Sequence, residues 1–163
     1  MVLGMSLETF TFVHVVISLV GIMTGFIVVA VMLQSGPIAG WNAFFLVATI
    51  LTSVTGFFFP ITKGLKPAHI VGVISLVTLA VALVAVYGKK LAGPWRGVYV
   101  VSAVFALYLN VFVAFVQSFD KFTYLHKFAP TGSEPPFAVT QGLVLIVFVV
   151  IGASAFRRYR PVD

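Results

Sequence analysis

Five stretches of this chain each run for about the length of a bilayer crossing with no Asp, Glu, Lys or Arg in their middle. They lie near 10–33, 41–59, 68–88, 96–118 and 138–156. A hydrocarbon core about 30 Å thick takes roughly 20 apolar residues per helical crossing. No water reaches the backbone there, so each N–H and C=O must bond within the segment, and a helix is the form that allows it. Composition leaves little alternative. The 163 residues are 61% apolar and 9% charged, with mean hydropathy +1.15, whereas a soluble domain carries roughly 25% charged residues. Lipid must be the solvent for much of this surface. The expected fold class is all-α: one integral membrane domain over residues 1–163, a polytopic bundle of five transmembrane helices.

The breaks between the runs hold Gly, Pro or charge. They are Gly36-Pro37 with Gly40, Pro60 to Pro67, Lys89-Lys90 with Gly93-Pro94, and Pro130 to Pro136. No internal repeat is visible. The first run follows a short tail with Glu8 and no Lys or Arg. A secretory signal needs a basic leader and a shorter apolar core, so this run is expected to span and stay.

Five crossings put the termini on opposite sides, A for the N-terminal side and B for the C-terminal one. Side B receives Lys89, Lys90, Arg96, Arg157, Arg158 and Arg160; side A receives Lys63, Lys66, Lys121 and Lys127, diluted by Glu8, Asp120 and Glu134. Basic residues favour the cytoplasmic side, so the expectation is N-out and C-in. The net charge of +6 is thereby read as a topology signal, since the basic residues sit between apolar runs and form no single patch for nucleic acid. Trp41, Tyr87, Trp95, Tyr99 and Tyr159 fall near side B, as an interfacial aromatic belt would. In the longest connection, 119–137, the half FDKFTYLHKFA puts Phe119, Phe122, His126 and Ala129 on one helical face. That spacing predicts a short interfacial helix. The half PTGSEPPF cannot be a regular helix.

Helices in lipid meet through small residues and through polar groups that need partners. Helix 1 offers His14, Ser18, Gly21 and Gly25, including the GxxxG segment GIMTG. Helix 2 offers Thr49, Thr52, Ser53, Gly56 and Pro60; helix 4 offers Ala103, Ala106, Asn110, Ala114 and Gln117; helix 5 offers Gln141, Gly152 and Ala155. Plain helix packing accounts for such stripes. The sharper reading is a polar bundle interior built from Thr49, Thr52, Ser53, Asn110, Gln117 and Gln141, with Asn110 deep enough to require a partner.

The three histidines, His14, His69 and His126, all fall on side A. His14 and His69 sit on helices running in the same direction, at similar depth, and Gly72 leaves room on the face of His69. Two chemistries use such a pair. A b-type haem takes two axial imidazoles from different helices, here His14 and His69. A metal site would use His14, His69 and His126 with a carboxylate such as Glu8, Asp120 or Glu134. The plainer alternative leaves each ring at the interface with its polar tip in water. There is no HExxH, CxxCH, GxSxG, P-loop or dinucleotide fingerprint. The absence of cysteine excludes disulfides, thiolate metal sites and dithiol relays. Mid-span ionisable groups mark ion-coupled carriers, and none stands here.

The segments TSVTGFFFP (52–60), LYLNVFVAFVQSF (107–119) and APTGSEPPF (129–137) resemble those of small multi-pass inner-membrane proteins of bacteria to which no function is assigned. The resemblance implies a bacterial inner (cytoplasmic) membrane and no particular activity. The expected role is non-enzymatic: an accessory or assembly subunit, or a small-molecule binder with a polar site near the periplasmic face. The alternatives are a haem-binding redox protein using His14 and His69, and a small channel or permease. The partners expected are the bilayer and other membrane subunits.

Overall fold

The computed structural model describes residues 1–59 and 67–160, and they form six helices with no strand. These are α1 (Leu7–Leu33), α2 (Ala39–Gly56), α3 (Pro67–Leu83), α4 (Trp95–Lys121), α5 (Thr123–His126) and α6 (Pro135–Arg158). A π-helical turn, Val84–Gly88, extends α3. Five helices are long and apolar enough to cross a membrane, with α3 and its π turn counted as one. The chain is thus an all-α helix bundle and a multi-pass membrane protein.

Local chemistry sets the helix ends. Ser6 caps α1, its Oγ accepting from the Thr9 N–H at 3.1 Å, which satisfies one of the donors a helix start leaves open. The 27 residues of α1 rise about 40 Å, more than the hydrocarbon thickness, so the helix protrudes or tilts. Two boundaries differ from the hydropathy reading. Helix α2 begins two residues early and stops at Gly56, because Phe57 and Phe58 turn out of the helix despite being apolar. Helix α4 continues to Lys121 and carries Phe119 as a buried residue. The predicted interfacial helix shrinks accordingly to the single turn α5, on which His126 is exposed. The stripe residue Pro60 and the side-A residues Lys63 and Lys66 lie outside the described residues.

Helix α4 is the hub. It packs against α1, α2, α3 and α6, whereas α2 lies between α1 and α3, whose backbones do not come close to each other. Over half of α4's spanning window is buried, 56%, against 6% for α6. Sequence explains the hub: Gly97, Ser102, Ala103, Ala106 and Asn110 are buried small or polar residues around which neighbours can close. Helix α6 touches the bundle through one line, with Gln141, Phe148 and Ala155 buried at seven-residue intervals.

Side B is tied together by polar bonds. Ser35, at φ +56°, donates from its Oγ to the Arg160 carbonyl and accepts the Arg160 N–H, both at 2.7 Å. Arg96 Nη1 donates to the carbonyls of Phe156 at 2.9 Å and Tyr159 at 2.7 Å. The end of α1, the start of α4 and the end of α6 therefore share one side. The aromatic belt read from sequence is smaller than expected. Trp41 and Tyr87 are exposed, but Tyr99 and Tyr159 are buried, at 0% and 1% exposure. Tyr99 turns inward to donate its hydroxyl to Asn42 Oδ1, an equally buried acceptor on α2.

On side A the loop before α6 closes on Glu134. Its carboxylate accepts from the Thr131 N–H and hydroxyl, both at 2.9 Å, and from the Ser133 N–H at 3.0 Å. These bonds, the Thr131 N–H first, favour the charged form and hold the Glu134 pKa at about 2 against its ordinary 4.5. A depressed carboxylate orders the loop fully above its unfolded pKa and loses that contribution as pH falls from 4.5 toward 2. Carbon-13 NMR of the Glu134 carboxyl in micelles should give a midpoint near 2. A midpoint near 4.5 would mean the loop bonds do not persist in solution.

Candidate functional site

Two groups of polar side chains lie inside the helical region. The first fills the contact between α1, α2, α3 and α4. Thr49, Thr52, Ser53, Ser75 and Asn110 are all buried there. Asn110 Nδ2 donates to Thr49 Oγ1 at 3.4 Å, a long bond. Gly21 makes room for that pair: a Cβ at position 21 would stand 3.3 Å from both atoms. Gly25, one turn on, faces Leu107 and Phe45 in the same way. The hydroxyls are spent on the helices themselves. Thr52 donates to the Ala48 carbonyl at 2.9 Å and Thr24 to the Val20 carbonyl at 2.7 Å, while Ser53 Oγ and Ser75 Oγ are 2.9 Å apart across α2 and α3. The arrangement is a close-packed polar seam.

Of the interior residues named from sequence, Thr49, Thr52, Ser53 and Asn110 come together in this seam. Gln141 is buried elsewhere, against α4, where its Nε2 donates to the Phe112 carbonyl at 3.2 Å. Gln117 is exposed. It stands on the outward side of α4, while Phe119 two residues further on is buried against Phe137 of α6, so it does not belong to the interior. Sequence reading missed Thr24, Ser75 and Asn42, and placed Tyr99 in the interfacial belt instead of the interior.

The second group is a histidine corner on side A. The His14 Nδ1 atom lies 2.7 Å from Thr55 Oγ1. Its ring stands edge-on to Phe59, with centroids 5.1 Å apart, and Phe59 in turn leans on buried Phe10 at 5.0 Å. The proton positions follow from the network. The single hydroxyl proton of Thr55 goes to the Leu51 carbonyl at 2.6 Å, with the Thr52 carbonyl at 3.2 Å as a second acceptor. With the Thr55 proton so assigned, Thr55 Oγ1 accepts from His14 and Nδ1 is assigned the ring proton. A neutral ring in that tautomer presents its lone pair at Nε2. Thr55 acts as the outer-shell group that fixes ring orientation. It was legible in one respect only: in antiparallel helices a residue early in α1 and one late in α2 share a depth.

The three histidines form no common cluster. His69 is buried and its ring lies against Phe57, with centroids 5.9 Å apart. The room expected over Gly72 is taken by the same side chain: a Cβ there would meet the Phe57 ring at 3.1 Å. His14 faces α2 through Thr55, and the backbones of α1 and α3 do not come close to each other. Each ring has its own aromatic neighbour, Phe59 for His14 and Phe57 for His69. His126 is exposed on α5, away from both. Among the described residues no three His, Asp or Glu side chains group as a metal would require, so the set His14, His69 and His126 is not assembled. Glu134 is engaged with its own loop, and Asp120 pairs with neighbouring Lys121 at 3.2 Å on the surface.

Comparison with protein-family models, curated proteins and solved structures finds no match to this chain.

Proposed function

We propose that this chain is a non-enzymatic membrane protein that binds a small amphipathic molecule at the histidine corner, near the periplasmic face. The observation that carries the reading is the His14–Thr55–Leu51 relay. It spends the Thr55 proton inward and leaves the Nε2 lone pair on a half-buried ring that stands edge-on to Phe59, with Phe10 packed behind Phe59. Such a nitrogen accepts a hydrogen bond from a hydroxyl or N–H donor, and the phenylalanines favour an apolar or ring-shaped body beside it. A ligand of that chemistry partitions into the bilayer and reaches the corner laterally. The basic residues of side B and the resemblance to bacterial inner-membrane proteins support a bacterial cytoplasmic membrane, with the N-terminus outside. In this role the protein serves other membrane subunits as an accessory that holds or presents the molecule.

The test is co-purification. Wild-type protein and His14→Phe, which keeps the aromatic bulk, are purified in parallel from native membranes, and organic extracts are compared by mass spectrometry. Loss of one hydrogen bond to a basic acceptor corresponds to about tenfold in affinity. A species depleted about tenfold in His14→Phe supports the binding role. Identical extracts from two equally folded proteins refute it.

A further inference from the structure

The charged and apolar features of side B meet at a second place, independent of the histidine corner. Because α3 and α6 both pack on α4 but not on each other, the outer surface of α4 lies at the bottom of two furrows. One, about 600 Å³, runs between α3 and α4, with Val77, Val81, Val98 and Val101 in its walls and Phe156 of α6 at its end. The other, about 200 Å³, runs between α4 and α6 along Tyr108, Phe148 and Val149. Val101 and Phe105 line both, so the furrows fork around one ridge. From Arg96 to Phe105 the first extends about 13 Å along the helix axis.

Arg96 stands at the side-B mouth of the larger furrow. Its Nη1 is fixed by the Phe156 and Tyr159 carbonyls, and its guanidinium lies 5.4 Å from the Phe156 ring centroid. Both bonds leave from the same nitrogen, so the remaining N–H groups of the fork are held in place without a protein acceptor among the described residues. Among the described residues no carboxylate pairs with it, and the one ion pair there is that of Asp120 with Lys121, on side A. Lys89, over the adjacent Trp95 ring at 5.5 Å, adds a second cation. A rigid cationic fork above two apolar furrows matches a phosphate with two acyl chains below it.

We propose that this surface is a binding site for one anionic glycerophospholipid, its phosphate on Arg96 and its two acyl chains astride Val101 and Phe105. A lipid so placed also bridges α3 and α6.

The experiment uses full-length protein in nanodiscs of equal parts phosphatidylglycerol and phosphatidylcholine. Native mass spectrometry after release counts the lipids each chain retains. Wild type should favour phosphatidylglycerol by about fivefold, the preference one basic side chain contributes at an anionic surface. Arg96→Gln should bring the ratio close to one. Val101 is 59% exposed, so Val101→Trp fills the fork without entering the core, and it should remove about one retained lipid per chain. Arg157→Gln removes an exposed cation that lines neither furrow, and it should leave the ratio unchanged. Equal retention of both lipids by wild type overturns the site. So does an Arg157→Gln effect as large as that of Arg96→Gln, which would make the preference a diffuse charge effect. If Arg96→Gln does not fold, Val101→Trp decides alone: unchanged lipid number refutes the site, and loss of one lipid upholds it.

Discussion

Replacing Gly25 by leucine should abolish the compact bundle. A single Cβ at this position would stand 2.6 Å from Leu107 Cδ1 and 2.9 Å from the Phe45 ring. Both neighbours are buried to 1% exposure or less, so neither has free space to retreat into. Leucine adds three more carbons beyond that first one. Overpacking a tight core costs about 1–3 kcal/mol for modest insertions and more when backbone must move. Here α1 would have to separate from α2 and α4 together, so the expected loss is more than about 3 kcal/mol. Gly25→Leu should lose its monodisperse peak in size-exclusion chromatography in mild detergent. Gly25→Ala should fall between it and wild type. Gly142 provides the contrast, since nothing lies within 4 Å of the Cβ it lacks. Gly142→Leu should shift stability by less than about 1 kcal/mol, or raise it slightly through helix propensity. Equal behaviour of the two leucine variants would show that the α1 glycines are not a close-packing device.

Tyr99→Phe should give the second largest effect. The Tyr99 hydroxyl and Asn42 Oδ1 join α4 to α2 at positions with 0% and 1% exposure. Removing the hydroxyl strands a buried acceptor, which costs about 1–3 kcal/mol. Interhelical hydrogen bonds in membrane proteins run lower, about 0.6 kcal/mol on average and 1.7 at most, because the dissociated helices find other partners. Full burial of both atoms places this pair toward the upper end, roughly 1–2 kcal/mol. For a chain of this size that lowers the thermal midpoint by about 3–6 °C. The double variant Asn42→Leu with Tyr99→Phe should recover part of the loss, because no stranded amide remains. A Tyr99→Phe midpoint equal to that of wild type would mean that Asn42 finds another donor.

The amino-acid sequence by itself determined that this chain is an all-α bundle with five membrane-length helices. The reason is local. In hydrocarbon each backbone group must be satisfied within its own segment, so length and apolarity suffice to identify a crossing. Gly21, Gly25 and Asn110 were legible on similar grounds, because a small residue or an amide at mid-membrane depth has few uses other than a helix contact. Which faces meet was decided only by the tertiary structure. A soluble helix displays its buried side by contrast with polar residues, but in lipid the outward side is just as apolar. Phe45 and Leu46 are buried while Phe44 and Val47 are exposed, and nothing in their chemistry separates the two pairs. The same blindness to direction around the helix axis governs the histidines. Sequence placed His14 and His69 at a common depth, a matter of counting along each helix. Their rotational positions, and the Phe57 ring seated on His69 and Gly72, follow from α2 lying between α1 and α3. That order results from side-chain shapes closing on one another across helices, which no single helix encodes.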